Sequence, residues 1–315
     1  HWRRPARQAA EHWWIASYSA LRTGERDEPQ SAQRFEDAAP DSPAAQKAGD
    51  DERANLFVPL RPGDLPSLHR FPRGPNPGTF LHGLLELAGR EGFAACAADP
   101  ARLREQIARR CQLRGMTAWI APLADWLQAL LSTPLALGEG ASVALGELSS
   151  YQPELEFCFE ARGVEVRRLD VLVQRHVLPG LARPPLLRDT LNGMFKGFVD
   201  LVFEHDGRYY VVDYKSNWLG GEDAAYTEEA MQAAVAEHRY DLQYVLYLLA
   251  LHRQLQLRLP GYDYDRHIGG ALYLFLRGSR AAGQGIHHAR PPRQLIEALD
   301  ALFKGETQQM PEAMA

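Results

Sequence analysis

Residues 197–216 read GFVDLVFEHDGRYYVVDYKS, two runs of β-branched and aromatic residues split by Asp206-Gly207. Asp-Gly between such runs signals a two-residue type I′ turn, because both central positions need φ > 0. A turn there pairs His205 with Arg208 and places Asp200 directly opposite Asp213. Period-two alternation then puts Phe198, Asp200, Val202 and Glu204 on one face with Tyr209, Val211, Asp213 and Lys215. The other face carries Val199, Leu201 and Phe203 with Tyr210, Val212 and Tyr214, an apolar surface for a helix to cover.

Directly opposed side chains have Cβ atoms about 4.5–5.5 Å apart, and like charges there destabilise the pair. A divalent cation between the carboxylates offsets the repulsion, and Mg2+ suits one or two carboxylates completed by water and phosphate oxygens. Lys215, two residues past Asp213, shares their face, where it can stabilise a developing anion or orient a water beside the metal. A bare Asp-x-Lys is common by chance, and an isolated strand aspartate is usually a solvated edge residue. Two aspartates in register with a lysine, between apolar flanks, form a much narrower pattern. Paired carboxylates also serve glycoside hydrolysis, which needs no metal.

The remaining sequence frames this hairpin. Hydrophobic residues at 45% and charged residues at 24% of 315 are the mix of a soluble globular protein. No window approaches the roughly 18–20 apolar residues of a membrane span, and the first residues carry no signal-like pattern, so a cytoplasmic protein is expected. Cys96, Cys111 and Cys158 have no paired spacing, so they are read as small buried apolar residues rather than disulfides or metal ligands. The net charge of -5 is concentrated in residues 22–55, which hold nine acidic and five basic side chains, one aromatic and no Val, Ile or Leu. Such a stretch buries too little apolar surface to order itself. It reads as a linker between a short piece, residues 1–21, and a near-neutral body, residues 56–315.

Within the body, Thr79 is expected to cap a helix reaching Gly89, with His82 and Glu86 on one face, and residues 100–137 read as helical. ELEFCFEA from Glu154 alternates as a strand, and VEVRRLDVLV from Val164 is read as its partner strand, followed by the loop PGLARPPLL.

On these residues the chain resembles the PD-(D/E)XK nuclease superfamily, and closely its RecB-type branch. The matching stretches are FPRGPNPGTFLHGLLE, GMFKGFVDLVFEHDGRYYVVDYKSNWLG, HRYDLQYVLYLLALHRQL and GGALYLFLRG, spanning nearly the whole body. The resemblance implies an α/β fold, a central mixed sheet flanked by helices, with extra N-terminal helices. It further implies one Mg2+ per active site, bound by His82, Asp200, Asp213 and the Tyr214 carbonyl, with Lys215 as catalytic lysine. Gln243 and Tyr247 match the family's Q-x-x-x-Y motif, and their spacing of four puts both on one helical face, supporting the site.

By the same resemblance the substrate is single-stranded and unwound double-stranded DNA, cut by exodeoxyribonuclease V-type chemistry. The setting is double-strand-break processing and homologous recombination. The implied partners are a helicase portion of the same parent chain and the RecC and RecD subunits. Residues 1–21 resemble the end of that helicase portion, and the acidic stretch its tether to the nuclease. Relatives that clamp the domain with an iron–sulfur cluster use four cysteines, which three scattered ones cannot supply. Glu154 and Glu156 read as solvent-facing, and His176, His205, His252, His267, His287 and His288 show no site pattern. Residues 218–238 are a candidate mobile segment over the site. A catalytically silent DNA-binding module of the same fold is the alternative; its mark is loss of the aspartates or lysine, all intact in this sequence.

Overall fold

The computed structural model describes residues 14–18, 21, 67–280 and 284–306. Strand β1 (Trp14–Ala16) comes first. A 3-10 turn at Leu68–Arg70 leads into helices α1 (Pro75–Glu91), α2 (Phe93–Ala98), α3 (Pro100–Leu113) and α4 (Ile120–Ser132). A small ribbon of β2 (Pro134–Gly138) and β3 (Ala141–Ala144) follows, then β4 (Ser150–Glu165), α5 (Val166–His176), β5 (Thr190–His205) and β6 (Arg208–Lys215). The chain continues through α6 (Glu228–Glu237), α7 (Tyr240–Arg258), α8 (Tyr264–His267), β7 (Ile268–Phe275), β8 (Ile286–Ala289) and α9 (Arg293–Phe303).

The central sheet is six-stranded and mixed, in the order β1-β5-β6-β7-β8 with β4 along the other edge of β5. β1 with β5 and β6 with β7 are parallel; the other pairs are antiparallel. Helices cover both faces. Leu201, Phe203, Tyr210, Val212 and Tyr214 pack with α1 to α4, each fully buried leucine such as Leu81, Leu84 or Leu85 contributing about 1.5–3 kcal/mol. On the opposite face Phe195, Val202, Val211, Tyr273 and Phe275 pack against α5, α7 and α9. α7 is buried all round from Tyr240 to His252, as a helix lying under a sheet and inside a layer of other helices must be.

Several local expectations are corrected. α1 starts at Pro75, not after Thr79: proline is pre-set for the first helical position, and the Thr79 hydroxyl donates back to the Pro75 carbonyl (3.0 Å) from inside the helix. The helical run over 100–137 is broken where Gly115 adopts φ 66°, and Pro134 already belongs to a strand. VEVRRLDVLV is mostly helix α5, its Val166, Leu169 and Val173 recurring at helical spacing on one buried face; the antiparallel partner of β4 is β5. Cys158 is exposed, unlike Cys96 and Cys111. Within residues 218–238, the candidate mobile segment, Tyr226 is buried with its hydroxyl against Asn217 and Leu219, and Thr227 caps α6; these contacts do not test mobility. Most of residues 1–21 and all of the acidic stretch 22–55 lie outside the described residues. The part that is described, β1 with Tyr18 and Leu21, belongs to the sheet and its core.

Candidate active site

The Asp206-Gly207 turn forms with φ 51° and 76°, and pairing runs from His205/Arg208 to Leu201/Val212. There the ladder ends. At the next step the strands part, and the Asp200 carboxylate Oδ2 accepts the Tyr214 N–H at 2.7 Å. β6 continues beside β7 as far as Lys215/Phe275, whereas β5 is next joined by β1 at residues 193–195. Alternation also changes face at this fork, since Val199 packs with Phe195 on one side of the sheet and Leu201 with Phe203 on the other. Across from it, Glu154 of β4 stands at φ 50°, between the pairs Pro153/Leu201 and Leu155/Val199. The two aspartates are therefore not a directly opposed ladder pair, as the turn alone suggests, and Val199 does not share the face of Leu201. Their charges are answered separately. Asp200 faces the Tyr214 amide and His82, and Asp213 faces Lys215.

Lys215 and Asp213 are 1% and 2% exposed, with Lys215 Nζ 2.5 Å from Asp213 Oδ2. The ammonium also donates to Gln243 Oε1 (2.9 Å), which accepts the Tyr273 hydroxyl as well (2.8 Å), while Gln243 Nε2 donates to the Tyr247 hydroxyl (2.9 Å). The rings of Tyr240 and Tyr273 lie 3.9 and 5.0 Å from Nζ, a cation–π enclosure. Burying such a pair is costly unless its remaining donors and acceptors are matched, and for the ammonium Gln243 and the two rings do so. Gln243 and Tyr247 do share one helical face: Gln243 accepts from the lysine ammonium and donates to the Tyr247 hydroxyl. Sequence reading missed Tyr240 and Tyr273. For Tyr240 a signal was available, since Tyr240, Gln243 and Tyr247 fall at i, i+3 and i+7; the register of Tyr273 with Asp213 comes from the pairing of β6 with β7, which the sequence does not encode locally.

His82 reaches the fork from α1. Its Nδ1 is 3.5 Å from Asp200 Oδ2, and its ring meets that of Tyr214 edge-on at 5.8 Å between centroids. The His82 and Asp200 side chains are 18% and 22% exposed, so this half of the site opens to solvent. Burial, reinforced by the charges of Asp200 and Asp213, holds the Tyr214 phenol well above its ordinary pKa. Among the described residues no three His, Cys, Asp or Glu side chains converge as a metal cluster. The donor set nevertheless fits a hard divalent cation: an imidazole, two carboxylates on adjoining strands and a main-chain carbonyl between Asp213 and Lys215.

Two exposed aromatic–cation pairs lie close to the site residues in the chain. The Arg73 guanidinium stacks 3.7 Å over the ring of Trp218, which is 42% exposed, and Lys196 Nζ lies 5.4 Å over Phe198. α1 approaches the strand end so closely that a Cβ on Gly78 would sit 2.8 Å from Ser216 Oγ. The buried Arg277 guanidinium ties the same corner together by donating to the carbonyls of Ser216, Leu68, Phe71 and Pro72 at 2.7–2.8 Å. Glu154, half-buried at its bulge rather than solvent-facing, pairs with Arg90, and the exposed Glu156 pairs with Lys196.

The model of the PD-(D/E)XK nuclease superfamily matches residues 62–314. The chain belongs to this superfamily. As a PD-(D/E)XK chain it carries the superfamily's acidic-x-lysine element as Asp213-Tyr214-Lys215, at the strand end where β5 and β6 part. It is 44% identical over 245 residues to the RecBCD enzyme subunit RecB of Escherichia coli K12, covering 76% of this chain and 20% of that protein. The RecB subunit of Haemophilus influenzae is 38% identical (74% of this chain, 19% of that protein). That of Mycolicibacterium smegmatis is 33% identical (82% and 26%). The chain thus spans about a fifth to a quarter of the length of these relatives. Among the described residues no helix is long and apolar enough to cross a membrane.

Proposed function

We propose that this chain is a Mg2+-dependent deoxyribonuclease module that hydrolyses phosphodiester bonds in unwound DNA. The observation that carries the reading is the pairing of a solvent-facing His82–Asp200 couple with the buried Asp213–Lys215 couple at one strand fork. His82, Asp200, Asp213 and the Tyr214 carbonyl would hold the ion. Bound there, Mg2+ would supply Lewis-acid stabilisation of the phosphoryl oxygens and a more acidic water. Lys215 presents a fixed ammonium to the negative charge that develops on the phosphorus oxygens, and Gln243, Tyr240 and Tyr273 keep it pre-oriented, so little reorganisation accompanies the reaction. Asp200, already bonded to the Tyr214 amide, fixes the spacing of the two strands. The exposed Trp218 and Phe198 rings, each with its cation, offer stacking surfaces for unpaired bases and charge for the backbone, which favours single strands over duplex.

The likeness to RecBCD enzyme subunits supports reading the chain as a module of a RecBCD-type assembly. In this reading a helicase portion of the parent chain delivers the strands, RecC and RecD are the further partners, and the role is double-strand-break processing in homologous recombination, in the bacterial cytoplasm. A body with nearly balanced charge fits low intrinsic DNA affinity, with the motor raising local concentration. The test is incubation with end-labelled single-stranded and double-stranded DNA in Mg2+ with and without EDTA. Mg2+-dependent cleavage preferring the single strand is expected; DNA binding without cleavage under every divalent ion would instead identify a silent module.

A further inference from the structure

The described part of the segment ahead of the acidic stretch is built into the sheet and into the core that also holds Tyr240. One edge of β5 is occupied along its length by β4; the other is shared by β6, pairing at residues 201–205, and by β1, pairing at residues 193–195. β1 therefore enters on the open side of the fork and takes main-chain positions that β6 leaves. Beyond the buried Ala16, Tyr18 turns into the core with α7, and its hydroxyl donates to the His238 carbonyl at 2.7 Å. Leu21 gives a second anchor, fully buried, with its carbonyl accepting the Leu187 N–H (3.3 Å).

The His238 carbonyl is a sensitive place to hold. His238 caps the C-terminal end of α6, where a helix leaves its last carbonyls without internal partners. The next residue, Arg239, stands at φ 60°, a left-handed conformation that a residue with a side chain keeps only when its surroundings impose it. Asp170, Asp241 and the Pro184 carbonyl hold the Arg239 side chain, and Tyr18 holds the carbonyl just before it. Tyr240 follows at once, its ring 5.2 Å from that of His238 and 3.9 Å from Lys215 Nζ, its hydroxyl donating to Asn217 Oδ1 (3.2 Å).

We propose that Tyr18 is a positioning residue for Lys215, acting through the His238 carbonyl and the α6–α7 junction that presents the Tyr240 ring to the ammonium. The segment before the acidic stretch is then a working part of the nuclease centre. Only the kinetic half of the test rests on the nuclease reading.

The experiment compares the full chain with its Tyr18→Phe and Ala16→Asp variants. Tyr18→Phe keeps the packed ring and removes one hydrogen bond; Ala16→Asp puts a carboxylate where β1 is buried. With 13C-labelled lysine, the ring-current shift that Tyr240 imposes on the Lys215 ε-methylene signal should shrink in Tyr18→Phe and more so in Ala16→Asp. Steady-state cleavage of single-stranded DNA should show kcat lowered about fivefold in Tyr18→Phe, the worth of one hydrogen bond, with KM unchanged. An unchanged Lys215 signal in Tyr18→Phe overturns the proposal, as does a moved signal with unchanged kcat. A wild-type chain that does not cleave refutes the nuclease reading and leaves the Lys215 signal to decide the proposal. Should Ala16→Asp fail to fold, Tyr18→Phe decides alone.

Discussion

Gln243→Leu removes the hub of the lysine cradle while nearly preserving its volume. Three hydrogen bonds end on this side chain: one from the Lys215 ammonium and one from the Tyr273 hydroxyl to Oε1, and one from Nε2 to the Tyr247 hydroxyl. A hydrogen bond to a charged group contributes about 2 kcal/mol and each neutral one about 1, so the loss is about 4 kcal/mol. Burying extra apolar surface returns about 1 kcal/mol, for a net cost of about 3. Lys215 keeps Asp213 at 2.5 Å and the Tyr240 ring, so the ammonium is loosened rather than stranded. Urea unfolding at pH 7.5 measures the cost, with Tyr247→Phe as a one-bond reference expected near 1 kcal/mol. A double-mutant cycle with Tyr273→Phe should give a coupling of about 1 kcal/mol. A Gln243→Leu cost no greater than that of Tyr247→Phe, or a coupling near zero, would refute the hub.

Three further outcomes follow from other parts of the molecule. Gly197→Ala, whose Cβ would lie 2.6 Å from the Phe157 ring beside the fork, should cost about 1–3 kcal/mol in urea unfolding; a neutral effect would mean that the β5 backbone is free to move there. Burial lowers the pKa of His252 from 6.5 and also that of His288, so both favour the neutral ring when folded. The unfolded chain takes up protons first as pH drops below about 6.5; their contribution to stability is full above that pH and is lost as pH falls through the lower folded values. The thermal midpoint should accordingly decline as pH falls below 6.5, less steeply in His252→Gln, and equal slopes would contradict the assignment. Trp218→Ala should raise KM for single-stranded DNA about fivefold or more with kcat little changed, since a base stack on an aromatic ring is worth about 1–3 kcal/mol; an unchanged KM would remove Trp218 from the binding surface.

The sequence made the centre of the fold legible because the Asp-Gly turn leaves little freedom: its φ values, the His205/Arg208 pair and the ladder as far as Leu201/Val212 are those expected. Extrapolation failed one residue later. A ladder counted from the turn assumes that backbone keeps pairing with backbone, whereas the Asp200 side chain captures the Tyr214 amide and opens the fork. Val164–Val173 was misread because β-branched residues, favourable in strands, sit there at a helical spacing that places Val166, Leu169 and Val173 against the sheet. The Gln243–Tyr247 face was visible in the four-residue spacing. That its burden is Lys215 was not, because a contact between α7 and β6 is a tertiary one that no local period encodes. The docking of β1 onto β5 lay beyond reach for the same reason, with the whole acidic stretch intervening between it and the body.

The most direct test of the account is single-turnover cleavage of single-stranded DNA in Mg2+ by the wild-type chain and by Lys215→Ala and Asp200→Asn, each first shown to retain its circular dichroism spectrum. Removing a pre-oriented charge from the developing phosphoryl anion, or one carboxylate from the metal ligands, should lower the rate at least about a hundredfold in either variant. Cleavage by both variants within about threefold of wild type would place the chemistry elsewhere in the molecule.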